Sequence, residues 1–253
     1  MNAGVIWHDI ECGAYTADLP LWRDLADRAG GPVLELGAGT GRVALDLAAL
    51  GHEVTALDSD AGLLEELGAR AQRTGRPVKC VVADARRLPG EASGASRPLE
   101  AELGEGFALV IAPMQFLQVL GGPVERAAVL RTAAEALRPG GLFAAAVAAL
   151  DEAVSPDDAE PPLPDVGERD GWVYSSLPLD VRPEPGGVAV ERLRQVVSPE
   201  GSLTEERHTQ RLDTLTPAQL EREAAAAGLR ADGRHEVPST PDHVGSEVVV
   251  CRR

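Results

Sequence analysis

Apolar residues fall along the chain in short runs separated by segments with helical spacing. Val33-Leu34-Glu35-Leu36, Val54-Thr55-Ala56-Leu57 and the runs at 78–83, 107–112 and 142–149 read as five strands. Between them, residues 42–50 put Val43, Leu47 and Leu50 on one helical face, and a second helix covers about 61–73. A third has Pro123 at its first position and ends near Arg138, with Pro139-Gly140-Gly141 as the stop. Ahead of the first strand, Asp18 caps a helix running to Ala29, with Leu21, Trp22, Leu25 and Ala26 on one face and Gly30-Gly31 ending it. Strand–helix–strand repetition specifies parallel βαβ units, so an open doubly wound α/β sheet is expected.

Two stretches break the pattern. Residues 85–105, rich in Gly, Ala, Glu and Pro, read as a long surface loop, and 151–170, with eight acids, one arginine and four prolines, as an acidic loop. Runs at 172–177, 188–197 and 203–212 then alternate with turns and no helices, which predicts an antiparallel meander added at the sheet's carboxyl edge. Thr216-Pro217-Ala218-Gln219 is a capping box, with Leu215 and Leu220 spaced for a hydrophobic staple. That helix ends at Gly228, and strands near 230–237 and 247–251 finish the chain.

Composition narrows the class. The 253 residues suffice for one large domain, and no run approaches the roughly 20 apolar residues of a membrane helix. The N-terminus lacks a basic region followed by an apolar stretch, so a cytoplasmic protein with no membrane partner is expected. Cys12, Cys80 and Cys251 have neither metal nor redox spacing. A net charge of −16 repels polyanions, which argues against nucleic acid as a partner.

The chemistry centres on Glu35-Leu36-Gly37-Ala38-Gly39-Thr40-Gly41, set between a strand and a helix. Glycines there let the backbone turn sharply and a ligand approach the amides. The spacing is Gly-x-Gly-x-Gly, unlike the Gly-x-Gly-x-x-Gly of dinucleotide folds, and an acid precedes it. The alternative is a tight turn that binds nothing. Asp58 ends the second strand, 17 residues past Gly41, where a carboxylate accepts from ribose hydroxyls; its alternative is a helix cap, a role open also to Ser59 or Asp60. Asp84, after the third strand, suits an adenine amino group, or is a solvated loop acid.

This series, closed by Leu137-Arg138-Pro139-Gly140-Gly141, resembles the class I S-adenosylmethionine-dependent methyltransferases, small-molecule branch, over roughly 30–150. The resemblance implies a seven-stranded, mostly parallel sheet ending in an antiparallel hairpin. It implies one methyltransferase domain over 1–253: a helical cap (1–30), a cofactor core (31–150), an acidic loop with a β lid after the fifth strand (151–213), and a C-terminal helix and hairpin (214–253). It also implies S-adenosylmethionine as cofactor and S-adenosylhomocysteine as product. Glu35, Gly37, Ala38 and Gly39 would line the methionine and ribose side, Asp58 and Ser59 the ribose, and Asp84 and Ala85 the adenine. Pro113 would complete the cofactor set, with Met114, Gln115 and Phe116 between cofactor and acceptor. Glu11-Cys12-Gly13-Ala14-Tyr15 resembles the cap of that branch, in which Tyr15 closes over the cofactor or simply packs.

The acceptor is narrowed by exclusion. Ala112-Pro113-Met114-Gln115 lacks the Asn/Asp-Pro-Pro-Tyr/Phe motif of enzymes that methylate base amines, so a small molecule, methylated on O or N, is expected. Trp172, Tyr174 and Arg211 are candidate pocket residues, or core and rim. His8, His208 and His243 are candidate bases, with His52 and His235 behind them, and no cluster suggests a metal. Two other readings stand beside this one: an NAD-linked oxidoreductase, which Arg42 disfavours where a glycine is wanted, and a non-catalytic S-adenosylmethionine-binding regulator or partner subunit. A monomer or a homodimer fits equally.

Overall fold

A computed structural model of the protein describes residues 3–86, 106–148, 150, 163–240 and 243–253. The expected loop at 85–105 and the first part of the acidic stretch, 151–162, lie mostly or wholly outside the described residues. Eleven described strands form two sheets. The larger has the order β10-β11-β5-β4-β1-β2-β3, built from β1 (Val33–Leu36), β2 (Val54–Asp58), β3 (Val78–Val82), β4 (Phe107–Ala112), β5 (Leu137–Ala148), β10 (Arg230–Val237) and β11 (Ser246–Arg252). The first five are parallel; β11 runs antiparallel to β5 and to β10, so the terminal hairpin completes the sheet as expected.

Every residue of β1 and β4 is buried, which is why these strands read as unbroken apolar runs. Helices α2 (Leu19–Ala29) and α3 (Arg42–Ala49) pack Trp22, Leu25, Val43 and Leu47 into one apolar cluster; α5 (Pro123–Ala136) and α6 (Pro217–Ala226) supply Val129, Leu130, Leu220 and Ala224 to another. α4 (Ala61–Thr74) lies against β2 and β3. The Thr216 capping box forms as expected, with both of its hydrogen bonds.

Several expectations are corrected. Asp18 occupies the N-cap position of α2, but its backbone is αR and its side chain makes no cap bond; the carboxylate serves Arg42 and Trp22 instead. A ten-residue helix, α1 (Ala3–Cys12), precedes it, too short to be stable alone and held by burial of Val5, Ile6 and Trp7. Pro139-Gly140-Gly141 is not a stop followed by a strand. β5 already begins at Leu137 and slips register there, pairing Phe107 with Leu137 and then Leu109 with Leu142. The C-terminus holds this kink, because Gly140 N–H donates to Arg253 O at 3.1 Å and Arg253 N–H to Gly141 O at 3.0 Å.

The meander is a separate antiparallel sheet of four strands, β6 (Asp165–Arg169), β7 (Trp172–Glu184), β8 (Gly187–Val197) and β9 (Leu203–Asp213). The stretch read as loop through 170 therefore ends in a strand, whose polar residues pair with β7.

Candidate active site

The glycine loop leaves β1 and enters α3. Gly37, Gly39 and Gly41 have φ of +67°, +56° and +92°, the left-handed region where a Cβ is costly. Space is equally restrictive. A Cβ on Gly37 would stand 2.2 Å from Phe116 Cδ2, and one on Gly39 2.1 Å from His8 Nε2. Ala38 N–H donates to Leu57 O at 3.0 Å, and Gly39 N–H to Asp58 Oδ2 at 2.9 Å, which ties the loop to the end of β2.

Three acids line the same cavity as this loop. Glu35 is buried, and its Oε2 has no hydrogen-bond partner among the described residues. Burial pushes its carboxyl up to about 8, against the pull of Arg42 and of a backbone hydrogen bond from Ala44. Asp58 also accepts from Asp60 N–H at 2.9 Å through Oδ1. Asp84 accepts from Arg86: from its N–H at 3.0 Å and from Nε and Nη2 at 2.8 Å each. Past β4, Met114 has φ of +53°, a strained backbone for a residue with a side chain and the kind of outlier that clusters at functional sites.

One cavity of about 660 Å³ joins these groups. Glu35, Gly37, Ala38, Asp58, Ser59, Asp84 and Ala85 line it together with Pro113, Met114, Gln115, Phe116 and Tyr15. Gly39 does not line it directly; it holds Asp58. The opposite wall belongs to the small sheet, through Val181, Val190, Arg192, Gln210 and Leu212. Tyr15 is buried, its ring 4.8 Å from that of His243, with the Arg42 guanidinium 5.1 Å over it.

Other expected pocket residues lie elsewhere. Trp172 is 40% exposed, Tyr174 packs edge-on against Trp7 at 5.8 Å, and Arg211 pairs with Glu184 and Asp213; none lines the cavity. For Arg211 the physical reason is the pleat of β9: the cavity takes Gln210 and Leu212, and Arg211, between them, points to the opposite face, whereas Tyr174 shares the face of Val190 and Arg192 but is taken up by Trp7 of α1. Of the histidines, His8 and His243 line the cavity, while His208 on β9, His235 on β10 and His52, 3.3 Å from Asp27, do not.

The sequence reading missed Glu11 and Arg192 as cavity residues. Glu11 is held by Arg194 at 2.8 and 2.9 Å and by Ser176 Oγ at 2.7 Å, which docks α1 on the small sheet, and Arg192 is held by Asp165 at 2.8 Å within that sheet. Their only signal was Val188, Val190, Arg192 and Arg194 at period two, one face of a strand.

The donor set suits a nucleoside with a cationic tail: a carboxylate at a strand end, close backbone amides, and a buried acid oxygen lacking a partner. The family model described as a methyltransferase domain matches residues 33–141. No curated protein sequence matches the chain. Among solved structures, the CcbJ methyltransferase from Streptomyces caelestis is 24% identical, covering 95% of this chain and 97% of its own, with a TM-score of 0.65. An amino pentose methyltransferase from Micromonospora echinaspora, solved with S-adenosylmethionine bound, is 18% identical over 100% of this chain and 98% of its own, with a TM-score of 0.66. A sugar N-methyltransferase from Streptoalloteichus is 17% identical over 100% and 94%, with a TM-score of 0.70. The glycine-loop core, residues 33–141, thus matches a methyltransferase domain, and the chain as a whole shares the fold of S-adenosylmethionine-dependent methyltransferases.

Proposed function

We propose that this enzyme transfers the methyl group of S-adenosylmethionine to an oxygen or nitrogen of a small molecule held between the two sheets. The observation that carries the reading is the continuity of one cavity from the glycine loop to the inner face of the small sheet; its 660 Å³ falls in the range of small-ligand sites. In this reading Tyr15, Glu35, Gly37, Ala38, Gly39, Asp58, Ser59, Asp84, Ala85 and Pro113 hold the cofactor. Glu35 faces its ammonium, Asp58 its ribose, and Asp84 with Ala85 its adenine. Met114, Gln115 and Phe116 stand between cofactor and acceptor. Val181, Val190, Arg192, Gln210 and Leu212 take the place of Trp172, Tyr174 and Arg211 as the acceptor wall.

The bound cofactor supplies a methyl group made electrophilic by its sulfonium. The chain's own residues hold the acceptor in line and exclude water, which supplies much of the rate enhancement. His243, beside Tyr15 on the cavity wall, takes the proton that leaves the acceptor. The amino pentose and sugar enzymes of the same fold support a small polar acceptor, and the calicheamicin role of the first supports a place in secondary metabolism. A surface of charge −16 supports the exclusion of nucleic acid.

The test is transfer of label from methyl-labelled S-adenosylmethionine into a panel of amino sugars, glycosides and phenols, beside RNA and DNA. Label in a small molecule is the expected result. Label confined to nucleic acid overturns the reading.

A further inference from the structure

His8 was singled out from sequence only as a candidate base; its surroundings give it different work. The Thr40 hydroxyl donates its one proton to Asp9 Oδ1 at 2.8 Å, and Asp9 is held in turn by Arg70 from α4, with Nη1 at 2.9 Å. Burial raises the Asp9 carboxyl, but the hydrogen bonds from Arg70 and Thr40 outweigh it and keep the group ionised. With its proton committed, Thr40 Oγ1 can only accept from His8 Nδ1, 3.1 Å away. That fixes the neutral ring as the Nδ1–H tautomer and leaves the Nε2 lone pair bare. Burial lowers the imidazole below its ordinary value, against the pull of Asp9 and Asp58 and with help from Arg70 and Arg42, so the ring is uncharged at neutral pH.

The bare nitrogen faces the glycine loop. It sits where a Cβ of Gly39 would be, on the cavity wall, and Gly39 N–H is bound to Asp58. We propose that His8 is a cofactor-positioning residue, its Nε2 accepting a hydrogen bond from a ribose hydroxyl of the cofactor beside Asp58. This rests on the reading of the cavity as the cofactor site. A hydroxyl acceptor held by a buried network is a specificity element, because a ligand lacking that hydroxyl leaves no partner for the nitrogen.

The experiment is calorimetric binding of S-adenosylhomocysteine and of its 2′-deoxy and 3′-deoxy counterparts to the native protein, His8→Ala and His8→Phe, with thermal melting of each. Phenylalanine keeps the packing of the ring and removes both nitrogens. The expected result is that both variants bind S-adenosylhomocysteine roughly 3- to 10-fold more weakly, as for one lost hydrogen bond. Against the analogue lacking the hydroxyl that His8 meets, neither variant loses affinity relative to the native protein. Equal losses for all three ligands would mean that His8 acts only by docking α1, and overturn the inference alone. Failure of the native protein to bind S-adenosylhomocysteine overturns the cofactor site and this inference with it.

Discussion

Arg42 and Asp18 meet across the N-terminal cap in a two-point contact, Nη1 to Oδ1 at 2.6 Å and Nη2 to Oδ2 at 2.8 Å, with side chains only 10% and 2% exposed. Arg42 also donates to Tyr15 O at 2.9 Å, and Trp22 Nε1 to Asp18 Oδ2 at 2.8 Å, so the pair seats Tyr15 and α2 against the glycine loop. Asp18→Ala leaves a buried cation without a partner and should cost about 3–5 kcal/mol. Chemical denaturation checks this; a loss under about 1 kcal/mol would show that the contact is replaced by solvent.

Glu35 predicts a pH dependence. Its carboxyl stands at about 8 in the folded protein against an ordinary 4.5, so the folded chain keeps a proton that the unfolded chain releases between those values. Without cofactor, the contribution of Glu35 to stability therefore falls as pH rises from about 4.5 to about 8 and is level on either side. Glu35→Gln, which cannot ionise, should remove that contribution, so that its melting temperature relative to the native protein rises from pH 5 to pH 8. The same variant should weaken S-adenosylmethionine binding, because an amide offers a cation no charge. Melting curves at both pH values test the first point, and a margin independent of pH would refute it.

Asp58→Ala should reduce S-adenosylmethionine affinity by about 1–3 kcal/mol, or about 5- to 150-fold, by leaving ribose hydroxyls and Gly39 N–H without their acceptor. Unchanged affinity in a titration removes the ribose role.

Arg126 on α5 is 4% exposed and bridges Asp213 at the end of β9 (3.1 Å) to Glu223 on α6 (2.9 Å from both Nε and Nη2). Gln118 nearby accepts from Ala148 N–H at 2.8 Å and donates to Asp213 O at 3.2 Å. Together they anchor the small sheet to the large one. Arg126→Ala takes the partner of Glu223 and leaves Asp213 only the longer contact with Arg211 at 3.4 Å, and should cost about 3 kcal/mol. Faster amide exchange in β9 and α6 than in β1 and β4 is the accompanying sign, and uniform exchange would show that no local anchor was lost.

The strands around the glycine loop, its turns and the Thr216 cap were legible in the sequence, because each rests on local rules: burial period, positive φ, and a side chain bonding a backbone three residues on. Glu35, Asp58 and Asp84 could be found the same way, since their positions follow from where strands end. The cavity wall contributed by Arg192 and Gln210, the misjudged Arg211, and the small sheet as a separate layer required knowing which face of β8 and β9 turns inward. That choice is made by the packing of α1 and the large sheet. It is likewise the docking of α1, a helix too short to persist alone, that brings His8 over Gly39, 31 residues away in the chain. Local chemistry determined what kind of ligand the loop is built for; contacts between distant elements decided which side chains surround it.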